Sequence, residues 1–190
     1  WHHSNLITYS TIDVFPVDWI VCKTQHESIP YLLENVYYIN LKDCEDRRIN
    51  TENELKTMNW KYERFEAFKA DDGRLGCCIS HLKVIEMAKE KNLDYVVVVE
   101  DDILFTKPDK YNNMLKDFKN YIKLNNMTFD VLLFAASLST DGVKPITNNI
   151  YKANVCHTTT GYIVNKHYYD KLIDNFKEAV GLLINNGETD

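Results

Sequence analysis

The chain has 190 residues, 45% of them hydrophobic, which is enough for one sizeable core within the usual size of a single domain. Its 28 acidic side chains outnumber its 22 basic ones, and the resulting net charge of -6 argues against a broad nucleic-acid surface. The longest apolar runs, residues 95–99 and 131–136, are far shorter than the roughly 20 residues of a membrane-spanning helix, so we expect a soluble segment.

The first 35 residues give the weakest pattern. Scattered aromatic residues and the prolines at positions 16 and 30 predict an irregular extension or linker, with one short strand near residues 19–22. Residues 36–190 are predicted to form one domain. The chain starts without a methionine or a signal region and stops without a terminal cap, so we expect it to be a piece of a longer polypeptide, truncated at its C-terminus.

Strands and helices alternate from residue 36 onward. Short β-branched or fully apolar runs indicate strands, and apolar positions three or four residues apart indicate helices. The predicted strands cover residues 36–41, 62–68, 95–99, 131–136 and 161–164, and the predicted helices cover residues 46–59, 76–92, 109–124 and 166–176. This order predicts a three-layer α/β sandwich of Rossmann-like type with a mainly parallel central sheet.

Three adjacent carboxylates, Glu100, Asp101 and Asp102, follow the apolar strand at 95–99. Ligands collect at the carboxyl ends of strands in such sheets, and adjacent carboxylates repel one another unless a cation offsets their field. Hard ions such as Mn2+ or Mg2+ bind through one or two carboxylates, water and substrate phosphates. Glu100 and Asp102 are the predicted metal ligands, and Asp101 is expected to bind a backbone or ribose group. A charged, solvated loop after a strand is the alternative.

Polar residues near the same predicted edge are further candidates. Arg47 and Arg48 follow the first strand and suit a diphosphate, since guanidinium binds phosphate in a bidentate manner; a solvated helix start is the alternative. Ser80 and His81 are predicted one turn into a helix that faces the nucleotide, or else His81 is buried and hydrogen-bonded to backbone. Residues 157–160 offer imidazole and hydroxyl groups near the sheet edge, which a Thr-rich strand explains equally well.

The five cysteines are odd in number and irregularly spaced: Cys22, Cys44, Cys77, Cys78 and Cys156. They match neither a zinc pattern nor a complete disulfide framework, which favours a reducing compartment. We therefore expect a cytoplasmic location, including the cytoplasm of a virus-infected host, with the endoplasmic reticulum lumen as the alternative for a longer chain. Cys77 and Cys78 are expected to pack as small apolar residues in their helix.

Five motifs occur in a fixed order: Tyr38-Ile39-Asn40-Leu41 with Asp46-Arg47-Arg48; Phe65-Glu66-Ala67 with Asp72-Gly73; Leu75-Gly76-Cys77-Cys78-Ile79-Ser80-His81; Val98-Val99-Glu100-Asp101-Asp102; and Thr160-Gly161-Tyr162-Ile163-Val164. Together, over residues 36–165, they resemble the family 25 glycosyltransferases, which include bacterial lipooligosaccharide galactosyltransferases and collagen hydroxylysine galactosyltransferases. The Gly-Cys-x-x-Ser-His motif with Glu-Asp-Asp about twenty residues later is the most specific part.

The resemblance implies a GT-A type fold, a UDP-sugar donor, a divalent ion (Mn2+ or Mg2+) and inversion at the anomeric carbon, with the acidic triplet in the place of the Asp-x-Asp motif. Inversion needs a carboxylate base on the acceptor side, and Glu188 and Asp190 are the candidates. The implied donor-binding residues are Asn40, Leu41, Arg47, Arg48, Ala67, Asp72, Gly73, Ser80, His81, Asp101 and Gly161. Relatives have a longer connection between Gly73 and Gly76, so either this loop is tight or a lid is missing from the sequence.

The predicted function is metal-dependent transfer of a hexose, galactose or glucose, from a UDP-sugar to a hydroxyl of a glycan or a hydroxylysine-type protein acceptor. The oligomeric state is left open. One alternative is a non-catalytic domain that binds a nucleotide sugar or serves as a scaffold in a larger protein. Another is a nucleotidyltransferase, which is disfavoured because residues 40–43 offer no Gly-rich basic phosphate loop.

Overall fold

The computed structural model describes residues 33–134, 137–138, 143–147, 150–153, 156–157 and 159–187. Nearly all of the predicted extension, including the strand near residues 19–22, lies outside these residues. The same holds for Glu188 and Asp190, the two candidate bases, and for part of the Thr-rich stretch at 157–160.

A five-stranded sheet forms the centre of the fold. Its strands are β1 (Val36–Asn40), β2 (Tyr62–Glu66), β3 (Tyr95–Glu100), β4 (Val131–Leu133) and β9 (Gly161–Asn165). Four helices accompany it: α1 (Glu45–Thr57), α2 (Gly73–Glu90), α3 (Pro108–Leu124) and α4 (Tyr169–Gly187), the last preceded by a 3-10 turn at Lys166–Tyr168. Between β4 and β9 lie the short strands β5 (Ser137–Leu138), β6 (Lys144–Pro145), β7 (Tyr151–Lys152) and β8 (Cys156–His157).

The sheet order is β2-β1-β3-β9-β4. Strands β2, β1 and β3 pair in parallel, and β9 runs antiparallel to both of its neighbours, so β4 points the same way as the first three. The prediction of an α/β fold with a mainly parallel central sheet is confirmed. Each predicted strand of the sheet is present, and only β9 runs against the others.

The core consists of two apolar layers, one on each face of the sheet. Residues of β1 and β3 alternate between the layers, as the period of two in a strand requires. Side chains of α1 and α3 cover one face, and side chains of α2 and α4 cover the other. All four valines at 96–99 are fully buried, which explains why this strand is apolar at every position.

Most helix boundaries lie within two residues of the prediction, and two larger differences have a clear physical reason. Helix α2 begins at Gly73, not after Gly76, because the Asp72 carboxylate caps it by accepting a hydrogen bond of 2.8 Å from the backbone N–H of Arg74. The connection before Gly76 is therefore tight, and residues 73–76 form the first turn of the helix. Helix α4 continues past the predicted end at Phe176 to Gly187, since no proline follows and good helix formers continue.

The loop between β2 and α2 is fastened to the helix by backbone contacts. A Cβ atom on Gly76 would lie 2.8 Å from the carbonyl oxygen of Phe68 and 3.3 Å from the amide nitrogen of Ala70. The Ser80 hydroxyl donates to the Gly76 carbonyl at 2.7 Å and accepts from the Phe68 N–H at 2.8 Å. Only glycine allows this close approach, because backbone atoms cannot rotate away.

Gly76→Ala is therefore expected to lower the free energy of unfolding by about 1–3 kcal/mol through overpacking against the loop. Gly73→Ala is the matched control, because a Cβ atom there meets nothing within 4 Å. In a helical position this control is expected to be neutral or to stabilise by up to ~1 kcal/mol. Urea denaturation of both variants measures the difference, and equal stabilities would contradict the packing account.

Candidate functional site

Polar residues collect at one edge of the sheet, the edge formed by the carboxyl ends of its parallel strands. The parallel strands β1, β2 and β3 all end there, at Asn40, Glu66 and Glu100. Strand β9 begins at the same edge, where Gly161 pairs with Val99. Helices α1 and α2 follow β1 and β2, so their N-termini also lie on this side. This is the edge at which ligands bind in sheets of this kind.

Asp101 is held within the protein. Its side chain is 10% exposed, with one carboxylate oxygen 2.6 Å from Nη2 of Arg47. The other oxygen accepts a hydrogen bond of 2.7 Å from Nδ2 of Asn40, the buried last residue of β1. Asn40 is fixed in turn, because its Oδ1 accepts from Nε of Arg64 at 3.0 Å. These contacts hold together three of the predicted donor-binding residues: Asn40, Arg47 and Asp101.

Asp102 has a different environment. Its side chain is 57% exposed, and its contact with Nη2 of Arg47 is longer, at 3.4 Å. Partial burial and the charge of Glu100 raise the pKa of Asp102 above its usual value. Arg47 opposes this shift and Asp101 adds to it. Asp102 therefore carries a negative charge that its protein surroundings do not fully balance.

Glu100 is oriented by two neighbours. Its Oε1 accepts a hydrogen bond of 2.5 Å from Oγ1 of Thr159 and lies 3.4 Å from Nε2 of His81. Burial alone would raise the pKa of Glu100, but His81, Thr159 and Arg47 together outweigh it and lower the pKa below its ordinary value. The carboxylate is therefore ionised at neutral pH.

His81 is buried in α2, two turns from the start of the helix and not one turn as predicted. Its Nδ1 lies 2.7 Å from the hydroxyl of Tyr162, so it is bonded to a side chain and not to backbone. The imidazole stacks on the rings of Tyr162 and Phe176. Its Nε2 is buried and faces Oε1 of Glu100 at 3.4 Å, a long contact without hydrogen-bond geometry, and no other described residue is its hydrogen-bond partner.

The other predicted donor residues make contacts within the protein. Arg48 pairs with Glu45 at 2.7 Å, and its side chain is 39% exposed. Ser80 is buried and uses its hydroxyl to fasten the loop before α2. The remaining positions are Leu41 and Ala67, which follow strand ends, Asp72 and Gly73, which begin α2, and Gly161, which begins β9.

Cys77 and Tyr162 also lie at this site, and neither was predicted there from the sequence. Cys77 was expected to pack as an apolar residue, but it is exposed. Its Sγ, Nε2 of His81 and a carboxylate oxygen of Glu100 all lie within 4.8 Å of one another. The spacing of four residues between Cys77 and His81 was the available signal, because such residues share one face of a helix.

The three carboxylates of the acidic triplet are not equally free to contact a divalent ion. The exposed Asp102 sits in the negative field of Glu100 and Asp101, which a cation would relieve. Asp101 is already neutralised by Arg47 and hydrogen-bonded by Asn40. Glu100 and Asp102 therefore stay the predicted oxygen ligands of such an ion.

This chain is similar to one protein-family model and to one known protein. Residues 71–185, more than half of the chain, match the family model described as "Glycosyltransferase family 25 (LPS biosynthesis protein)". A Haemophilus influenzae protein named "Putative glycosyltransferase" is 38% identical over 52 residues, which are 27% of this chain and 18% of that protein. The chain therefore matches less than a fifth of that relative's length. In the described residues, no helix combines the length and apolar character needed to cross a membrane.

Proposed function

The chain belongs to glycosyltransferase family 25, and from this premise we propose that it moves a hexose from a UDP-sugar to a hydroxyl group in a metal-dependent, inverting reaction. Galactose is the first choice of sugar and glucose the second. The acceptor is a glycan or a hydroxylysine-type protein side chain. The observation that carries this proposal is the acidic triplet at the end of the central strand β3, with Arg47 beside it.

Arg47, positioned by Asp101, is proposed to hold the donor diphosphate in place. Asp101 positions the guanidinium through Nη2, and the Arg47 side chain is 49% exposed at the sheet edge. Guanidinium carries five N–H donors, and the two carboxylate contacts involve only Nη2. The remaining donors suit bidentate binding of a phosphate.

Glu100 and Asp102 are the residues that would hold the divalent ion. When bound, the ion supplies positive charge that stabilises the negative charge on the departing UDP. The protein prepares this site by keeping Glu100 ionised and by orienting its carboxylate through Thr159. Asp102 contributes a second carboxylate that is open to solvent and to substrate.

The acceptor side needs its own base. An inverting transfer requires a carboxylate that takes the proton of the acceptor hydroxyl as the sugar moves. Glu188 and Asp190 remain the proposed candidates, and both lie outside the described residues. The cytoplasm remains the proposed compartment, which the free thiols of Cys44, Cys77 and Cys78 support.

A donor screen tests this function. The chain is mixed with an acceptor pool and with UDP-galactose, UDP-glucose or their N-acetyl relatives, and UDP release is measured with and without Mn2+. We expect release from one or both of the unmodified hexose donors and a strong requirement for the metal. Turnover that is equal with and without Mn2+ would contradict the metal-dependent mechanism, and preference for an N-acetyl donor would contradict the sugar assignment.

A further inference from the structure

We propose that Cys77, His81 and Glu100 form a binding site for a borderline divalent cation, with Zn2+ as the best match. The site differs in donor chemistry from the all-oxygen site proposed for Glu100 and Asp102. It goes beyond the glycosyltransferase function and does not depend on it. The inference rests on the convergence of three donor atoms and on a buried histidine nitrogen that lacks a hydrogen-bond partner in the described residues.

The positions of the three donors are compatible with a tetrahedral site. Helix α2 places Cys77 and His81 four residues apart on one face, and the end of β3 places Glu100 opposite them. With metal–ligand bonds of about 2.0–2.3 Å, the ligand atoms of a tetrahedral zinc site lie roughly 3.3–3.6 Å apart. The observed separation of 3.4 Å between Nε2 of His81 and Oε1 of Glu100 falls in this range. The three donor atoms lie within 4.8 Å of one another, and the exposed Cys77 has room to move closer.

His81 is oriented as a metal ligand would be. A ligating histidine usually donates its other ring N–H to a nearby acceptor, which fixes the tautomer and the ring plane. Here the Tyr162 hydroxyl lies 2.7 Å from Nδ1, and the rings of Tyr162 and Phe176 hold the imidazole by stacking. This arrangement directs Nε2 toward Glu100. A buried polar nitrogen without a partner costs free energy, and a bound cation would offset that cost.

The donor types select the ion. Thiolate and imidazole suit Zn2+, whereas Mg2+ and Mn2+ prefer oxygen ligands. A thiol binds a metal as the thiolate, so binding is expected to release the proton of Cys77. Three protein ligands leave the fourth position of a zinc site open, and the exposure of Cys77 gives the ion a route from solvent. Because Glu100 serves both sites, Zn2+ bound here is expected to weaken binding of the hard ion.

The test is calorimetric titration of the chain with Zn2+, together with a Co2+ titration followed by absorption spectroscopy. We expect Cys77→Ser to bind one Zn2+ ion fewer than the unaltered chain, or to bind that ion at least ~10-fold more weakly, because a metal ligand is removed. Co2+ is expected to give a thiolate charge-transfer band in the unaltered chain that is missing from Cys77→Ser. Cys77 is exposed, so this variant is expected to fold normally.

Cys78→Ser is the matched control. Its sulfur lies on the same helix but donates toward the carbonyl of Phe176 at 3.7 Å, outside the cluster. It should bind Zn2+ and Co2+ like the unaltered chain. The other histidines of the chain are present in both variants, so any Zn2+ that they bind contributes equally to the two titrations. Equal Zn2+ binding by Cys77→Ser and the unaltered chain, equal losses in the two variants, or no thiolate band would overturn the proposal. Any of these results would leave the glycosyltransferase proposal untouched.

Discussion

Asp102→Asn is expected to lower metal-dependent turnover of the UDP-sugar by at least ~10²-fold, because it removes a carboxylate that stabilises charge in the transition state through the metal. Thermal unfolding is expected to change little. The Asp102 side chain is 57% exposed, and its contact with Arg47 spans 3.4 Å. An exposed pair of this kind contributes at most ~1 kcal/mol. The raised pKa of Asp102 further shows that its charge is not stabilised in the folded chain.

Asp170→Asn is the control for this substitution. Asp170 lies in the first turn of α4, at the opposite edge of the sheet, where it is 73% exposed and pairs with Lys89. The control removes the same charge from a similar ion pair and is expected to keep full activity. UDP release and thermal unfolding are measured for both variants. Full activity in Asp102→Asn would contradict the metal assignment. An equal loss of UDP release in Asp170→Asn would also contradict it.

Asn40→Asp is expected to lower the free energy of unfolding by about 2–4 kcal/mol, because it buries a second carboxylate against that of Asp101. Asn40 is almost fully buried, and its Nδ2 donates to Asp101 at 2.7 Å. The substitution removes that donor and sets two carboxylates against each other. Arg64, which donates to Oδ1 of Asn40, offsets part of the repulsion. Urea denaturation at neutral pH measures the loss.

The exchange variant Asn40→Asp with Asp101→Asn isolates the cause. It restores one carboxylate and one amide at the same two positions, with the hydrogen bond reversed. We expect it to recover at least half of the stability lost by Asn40→Asp, which a double-mutant cycle with Asp101→Asn quantifies. Recovery will be incomplete, since Arg47 loses its closer carboxylate partner. Simple addition of the two single losses would show that the bond between the side chains is not what matters.

The strands of the central sheet could be predicted because their sequence pattern follows from burial. Residues 95–99 are apolar at each position, as a strand covered on both faces requires, and β3 is that strand. The direction of β9 could not be predicted. Its direction is fixed by its pairing with β3 and β4, and local hydrophobicity carries no information about strand direction.

The site was predictable in part for similar reasons. The position of the acidic triplet follows from the end of β3, but the different roles of its members depend on distant residues. Asp101 is held within the protein because Arg47 pairs with its carboxylate and Asn40, 61 residues earlier, donates a hydrogen bond to it. The role of Cys77 was missed because its partner Glu100 comes from another element, so counting cysteines revealed no zinc pattern. Spacing along one helix gives two donors, and only the tertiary fold supplies the third.

Calorimetric titration of UDP into the chain, with and without Mn2+, tests the central claim most directly because it does not require the catalytic base or the acceptor. The acidic triplet is proposed to bind the diphosphate through a hard ion, so UDP should bind at least ~10-fold more tightly when Mn2+ is present. Asp102→Asn should abolish that difference. Equal UDP affinity with and without Mn2+ in the unaltered chain would contradict the role of Glu100 and Asp102 as the metal ligands of a donor site.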